Sequence, residues 1–322
     1  EDANRWYSLL QIMGWENTYI YPSSECSPYD TSSHSTEIIW GQLQVLVDLI
    51  SSTNIRNTAI VATQRSLQPH LPPLELLKEK CISIRKSTCM DLEDLCNQLT
   101  IIGYKRVSTI DQEGTWSRRG DIVDIYPVSC ELPCRLEFFG DEVDKIREFD
   151  PLTQRSLDVI NEISIPPTNF NSIILYALKN KEENILKRYM QSEMIDKIKE
   201  SIEPEGLKSY MGLAWPKPLS ILDYIPDEAC VAIDEREQCI SHSKIWLKTA
   251  KDSFQEFSSK HSNEILSNQE YWQGNLHVEI DHLYKEIDIR FGFDLREIKE
   301  EDANKNVFDL NSKLLKSYPN QF

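Results

Sequence analysis

The sequence predicts an α/β layer split by an inserted α+β domain. Three observations predict it. Helix-like and strand-like stretches alternate before about residue 80 and again after about residue 168, as an α/β layer requires. Between them lies a run of short strands with tight turns, the mark of a small α+β domain. Proline clusters, Pro69 to Pro73 and Pro166-Pro167, stand where the pattern changes.

In chain order, Asn4 to Met13 read as the tail of an amphipathic helix, with Trp6, Leu9, Leu10 and Met13 at helical spacing. No cap or turn signal precedes it, so the first piece is expected to be truncated at its N-terminus. Thr18 to Tyr21 read as a short strand stopped by Pro22-Ser23-Ser24. A loop rich in Ser, Pro and Asp follows to about Ser35. A helix is expected over Thr36 to Ser51, with Ile39, Leu43, Leu46 and Ile50 on one face. Thr58 to Thr63 read as a buried strand. Inside the insert, Asp91 to Ile101 read as a helix carrying Leu92, Leu95, Cys96 and Leu99, followed by strands to about Ile165. Asn169 to Ile202 read as helices rich in Lys and Glu. Leu219 to Ile225 as a helix and Ala229 to Asp234 as a buried strand resume the layer. The resulting division is 1–80 for the first part of the α/β domain, 81–167 for the insert and 168–260 for the second part. Residues 261–322 are a linker or the start of a further domain.

Composition narrows the function. The 322 residues are 40% hydrophobic and 27% charged, a globular balance. The net charge of −17 repels a nucleic-acid backbone on average, so tight duplex DNA binding over a broad face is not expected. Eight cysteines occur without a Cys-x-x-Cys pair, and the start, Glu1 to Arg5, is polar. Both point to a reducing cytoplasm. No apolar run approaches the length of a membrane span.

The informative stretch is Gly114 to Leu157. Ile122 to Tyr126 is a strand stopped by Pro127, and Cys134 to Phe139 and Val143 to Phe149 form a hairpin. A two-residue loop would set Glu137 opposite Asp144, a like-charge pair. A three-residue loop sets Leu136 opposite Ile146 and Glu137 opposite Lys145, which is favoured by about 0.2–1 kcal/mol. Alternation then puts Leu136, Phe138 and Ile146 on a core face. Arg135, Glu137, Phe139, Lys145 and Arg147 share the other, an aromatic among charges that suits a partner surface. Six of the 14 arginines lie between Arg106 and Arg155. Arginines and aromatics are enriched at interface hot spots, although pairing with acids of the same domain would explain the arginines too.

This stretch resembles the second domain of UvrB and of the transcription-repair coupling factors. The resemblance rests on Arg119-Gly120, Asp124, Pro127, Pro133, Arg135, Glu137-Phe138-Phe139, Asp141-Glu142, Arg147-x-Phe149-Asp150 and Gln154-Arg155. Ser24 to Asp30, and Glu205-Gly206-Leu207, Tyr210 and Pro218 to Pro226, extend it towards the coupling factors. The resemblance implies a docking module for UvrA, with Arg119, Arg135 and Phe139 as contacts; Arg118 and Arg147 join them as neighbours on physical grounds. It implies that the layer is a split, degenerate relative of the P-loop NTPase domain of UvrB. It implies a cytoplasmic parent whose other parts use ATP and Mg²⁺, engage RNA polymerase and DNA, and cover the docking face with a C-terminal domain.

Catalytic motifs are weaker. No Gly-x-x-x-x-Gly-Lys occurs, so neither a cofactor nor catalysis is expected of this part. Ile233-Asp234-Glu235 resembles the Mg²⁺-holding carboxylates of ATPases, and without a phosphate loop it reads as a solvated strand end. His277-x-Glu279-x-Asp281-His282 lacks metal-ligand spacing and reads as a charged helix surface. The alternatives are a UvrB-like ATP-dependent repair enzyme whose phosphate loop lies upstream of residue 1, and a structural domain with no UvrA role. Between Ser51 and Lys80 there is no room for UvrB's long aromatic hairpin, which favours the coupling factors.

Overall fold

The computed structural model describes residues 2–23, 36–51, 57–215, 217, 219–260 and 278–296. Helix α1 (Asp2–Ile12) precedes strand β1 (Asn17–Tyr21), and helix α2 (Thr36–Ser51) leads to strand β2 (Thr58–Ala62), which pairs with β1 in parallel. This is the right context for α2. Its Leu43, Val45, Leu46, Val47 and Leu49 are buried, because a parallel pair needs apolar cover. Helix α1 forms as its spacing predicts but buries none of its residues, and Leu9 and Met13 stay exposed.

Two short helices, α3 (Gln64–Leu67) and α4 (Leu74–Lys80), carry the chain to β3 (Ile82–Arg85). Helix α5 (Leu92–Ile101) starts where Asp91 caps it, its carboxylate accepting from the Glu93 and Asp94 amides at 2.8 and 2.9 Å. Then come β4 (Lys105–Arg106), β5 (Thr115–Arg119), β6 (Ile122–Tyr126), β7 (Cys134–Phe139), β8 (Glu142–Phe149) and β9 (Ser156–Ile160). They form one six-stranded sheet in chain order, antiparallel from β5 onward. Strand β10 (Glu162–Ile165) returns to pair with β3, so the first and last strands of this segment lie side by side.

Helices α6 (Asn171–Lys179), α7 (Glu183–Leu186), α8 (Ser192–Lys199) and α9 (Met211–Ala214) follow, with 3-10 turns at Leu207–Tyr210 and Ile221–Tyr224. The helix expected over Leu219 to Ile225 is only that second turn. A capping box between Ser220 and Asp223 opens it, and Pro226 follows closely. Strand β11 (Val231–Asp234), helix α10 (Arg236–Lys260), helix α11 (Ile280–Asp288) and β12 (Gly292–Leu295) close the described chain, with β11 and β12 parallel. One continuous core joins Leu43 and Leu46 of α2, Leu95 and Leu99 of α5, Leu136 and Ile146 of the sheet, and Ile173 of α6. The chain is thus a mixed α/β fold with several sheets.

The hairpin β7–β8 has the predicted pairs, Leu136 opposite Ile146 and Glu137 opposite Lys145. The loop itself is shorter than expected: two residues, Gly140-Asp141, with Phe139 opposite Glu142. A bulge at Asp144 reconciles the two. Val143 and Ile146 are both fully buried although three residues apart, which a strand of period two cannot do without one extra residue.

A candidate docking surface

The six-stranded sheet has one face covered along its length; on the other, Ser117, Asp124 and Phe149 are buried as well, and the open part carries Arg119, Phe139, Lys145 and Val159. Val123, Ile125, Leu136, Phe138, Val143 and Ile146 are buried on the covered face, in the same core cluster as Leu92, Leu95, Cys96 and Leu99 of α5. Strand alternation sends the intervening residues to the opposite face. Cross-strand pairing lines up Ser117, Asp124, Arg135, Arg147 and Val159 in one row over five strands. The next row holds Arg119, Ile122, Glu137 and Lys145, and Phe139 stands one step beyond it.

Two turns fix the end of this face. Gly120 (φ +62°) and Gly140 (φ +61°) each begin a two-residue Gly-Asp turn, a position that favours glycine. The turns sit at the same end of the sheet and are joined by the Phe138 amide donating to the Asp121 carbonyl at 2.9 Å. Arg119 and Phe139 therefore project from neighbouring hairpin tips, about 12 Å apart by strand geometry. They are 59% and 84% exposed.

Behind them lies a charged cluster. The Asp124 carboxylate is only 1% exposed and accepts three hydrogen bonds: from Arg119 Nη2 at 2.8 Å, Arg135 Nε at 2.7 Å and Arg135 Nη2 at 3.0 Å. The Arg135 guanidinium also lies over the Phe149 ring, 4.8 Å from its centre, and is 16% exposed. Its bond to Asp124 raises its pKa further, so it stays a cation. Arg147 faces Arg135 across the strands, and its Nε lies 3.1 Å from Glu137 Oε1. Each arginine of this like-charge pair thus has its own acid.

The structure brings together Arg119, Arg135, Arg147 and Phe139, and sets Arg118 apart. Arg118 pairs with Val123 of the covered face, donates to the Gly120 carbonyl at 3.1 Å and lies beside Cys96 of α5. The reason is alternation: successive residues of β5 point to opposite sides. Asp124 was visible in the sequence only as a motif position. Its grip on two arginines needs three strands in register, which spacing alone does not show.

Elsewhere, Asp234 at the end of β11 is held by the chain itself. Trp6 Nε1 donates to its carboxylate at 2.7 Å, and Arg5 lies 3.6 Å away. Glu279 stands at the N-cap of α11, and His282 lies 3.2 Å from Glu286 one turn on. His277, Ser24 to Asp30 and Pro218 fall outside the described residues. Among the described residues no group of three or more His, Cys, Asp or Glu could hold a metal, and no helix is long and apolar enough to cross a membrane.

Comparison with known proteins places these features in a family context. Residues 82–170 match the family described as the UvrB interaction domain. A transcription-repair-coupling factor of Staphylococcus aureus (strain MRSA252) is 28% identical over 263 residues, 76% of this chain and 22% of the relative. That of Bacillus subtilis (strain 168) is 28% identical over 246 residues, covering 70% and 21%. That of Haemophilus influenzae is 26% identical over 275 residues, covering 84% and 24%. The chain spans about a quarter or less of the length of these relatives. The resemblance read from Arg119 to Arg155 therefore stands: the chain is similar to the N-terminal, UvrB-like module of the coupling factors.

Proposed function

We propose that this chain is the part of a transcription-repair coupling factor that recruits UvrA to RNA polymerase stalled at a lesion, and that the uncovered sheet face is where UvrA docks. The observation that carries this reading is the pairing of Arg119 with Phe139 at adjacent hairpin tips, backed by Arg135 on a buried carboxylate. An exposed Phe beside a pre-set arginine fits an anchor that a partner desolvates. Arg147 flanks the anchor, and Arg118, on the other side of the sheet, supports the turn at Gly120.

In this reading the chain docks and does not catalyse. Nucleotide does not fit the residues present: the sequence has no phosphate loop, and Asp234 is engaged by Trp6. The parallel pairs β1–β2 and β11–β12 with their helices are then a degenerate remnant of an NTPase-like layer, with 81–167 inserted between its parts. ATP, Mg²⁺, DNA and RNA polymerase belong to other parts of a cytoplasmic parent, and its C-terminal domain covers the docking face. The UvrB-like enzyme remains the second reading only if a phosphate loop precedes residue 1.

Affinity for UvrA, measured by calorimetry alongside thermal melting, tests the proposal. Phe139→Ala and Arg119→Ala are each expected to weaken binding by about 2 kcal/mol, roughly thirtyfold, with melting unchanged for Phe139→Ala and lowered only slightly for Arg119→Ala, which loses one bond to Asp124. Unchanged affinity in both variants would sink the docking reading.

A further inference from the structure

The residues assigned so far are too few for a stable interface. Arg119, Arg135, Phe139 and Arg147 lie on β5, β7 and β8, three inter-strand gaps, about 14 Å across. A standard interface covers about 800 Å² on each partner, a patch about 28 Å wide. The contact must continue over the sheet, and β8 and β9 offer the way.

Strand β9 carries the features of such an extension. Val159 pairs with Arg147, so it stands on the uncovered face at the end of the Asp124 row, and it is 58% exposed. Ile160, opposite Ile146, packs against the core instead. Leu157 is 47% exposed and lies in the irregularity where β9 has one residue more than β8. Leu152, in the preceding turn, is almost fully exposed. Three large apolar side chains are thus shown to solvent within eight residues.

The turn that displays Leu152 is firmly built. The Asp150 carboxylate accepts from the Leu152 and Thr153 amides at 2.8 and 2.9 Å, and these bonds hold its pKa below the usual carboxylate range. Gln154, at φ +59°, donates from Nε2 to the Ile110 carbonyl at 2.9 Å and to the Pro151 carbonyl at 2.7 Å. Ile110 and Phe149 are buried beneath. A loop so tied loses little entropy when a partner lands on it.

We infer that Leu152, Leu157 and Val159 form a second, apolar half of the docking surface, occupied by the same partner protein that takes Arg119 and Phe139. This rests on the docking reading and deepens it. The partner must present carboxylates to the arginine end and an apolar ridge to the β9 edge, about 19 Å apart across four strand gaps. Such a ridge gives specificity that Arg–carboxylate contacts alone do not.

The test compares three variants of this chain against UvrA by calorimetry: Leu152→Ser, the double variant Leu157→Ser/Val159→Ser, and Phe139→Ala. Melting and sedimentation of each chain alone are recorded. The expected result is at least tenfold weaker binding in all three, with melting unchanged for Leu152→Ser. If Phe139→Ala weakens binding while both β9-side variants bind as the parent does, the inference is overturned and the docking reading stands. If none of the three changes affinity, the docking reading itself fails. If the double variant abolishes self-association of the chain without altering UvrA binding, the edge is a contact between copies, and the inference is again overturned.

Discussion

Replacing Arg135 by alanine is expected to unsettle the fold before it affects any partner. Asp124 is buried and would lose two of its three hydrogen bonds, keeping only the one from Arg119. Removing one partner of a buried ion pair costs about 3–5 kcal/mol, because a desolvated charge is left behind. Arg119 still compensates part of that charge, which puts the loss at the lower end, about 3 kcal/mol. Losing the guanidinium from the Phe149 ring adds about 1 kcal/mol. Arg119→Ala removes the more exposed partner and should cost about 1 kcal/mol or less. Urea unfolding followed by tryptophan fluorescence measures both. A third chain, Asp124→Leu/Arg135→Met, removes both charges together and should recover most of the stability lost in Arg135→Ala. The reasoning is refuted if Arg135→Ala unfolds within 0.5 kcal/mol of the parent, on the order of measurement error, or if the double replacement is less stable than the single one. Weakened UvrA binding by Arg135→Ala must then be corrected for the unfolded fraction.

Three more outcomes are expected. Phe138→Ala, on the covered face, should cost about 3–5 kcal/mol of stability, the inverse of its neighbour Phe139; chemical denaturation checks this. Gly103→Ala should destabilise by about 1–3 kcal/mol, because φ is +99° and the new Cβ would clash with Thr168 Oγ1; Thr168→Ala in the same chain should relieve the clash but not the backbone strain, so calorimetric melting should recover only in part. Burial pushes the Cys81 thiol up to about 12, and burial with Asp48 beside it pushes the Tyr19 hydroxyl up to about 12. Both folded values are raised, so the stability they contribute is complete below the ordinary 9.0 and 10.0 and is lost as pH rises towards 12. Unfolding free energy should fall over that window, and Cys81→Ser should flatten its lower part.

What the sequence showed was mostly local. The start of α5 near Asp91, the span of α2 and the sidedness of Leu136, Phe138 and Phe139 follow from spacing and alternation, which neighbouring residues carry. The β7–β8 pairing was legible because like charges oppose across strands. The bulge at Asp144 was not, since it arises from Val143 and Ile146 both being drawn into one core. Helix α1 formed as read, but periodicity says only which side is apolar, and nothing described covers Leu9 or Met13. The Trp6–Asp234 bond joins residues 228 positions apart, beyond any local pattern. Val159 was missed because its strand carries apolar residues on both sides, and only pairing with Arg147 tells which side is covered.

The charge pattern of the face indicates how it would bind. Arg119 and Arg135 against Asp124 leave one positive charge, Arg147 against Glu137 and Lys145 against Asp144 leave none, and Glu142, opposite Phe139, offsets the one that remains. A face carrying about no net charge, on a chain of −17, is a poor long-range lure for an acidic partner. On the proposed docking role its arginines would act at contact, where their positions are already set by internal acids and little side-chain entropy remains to be lost. Phe139 at one end and Val159 at the other then supply the apolar area that water leaves on docking. On the proposed docking role the internal acids would be part of the binding design: they hold arginines rigid beside hydrophobic side chains, and such an interface would gain more from desolvation and shape than from attraction at a distance.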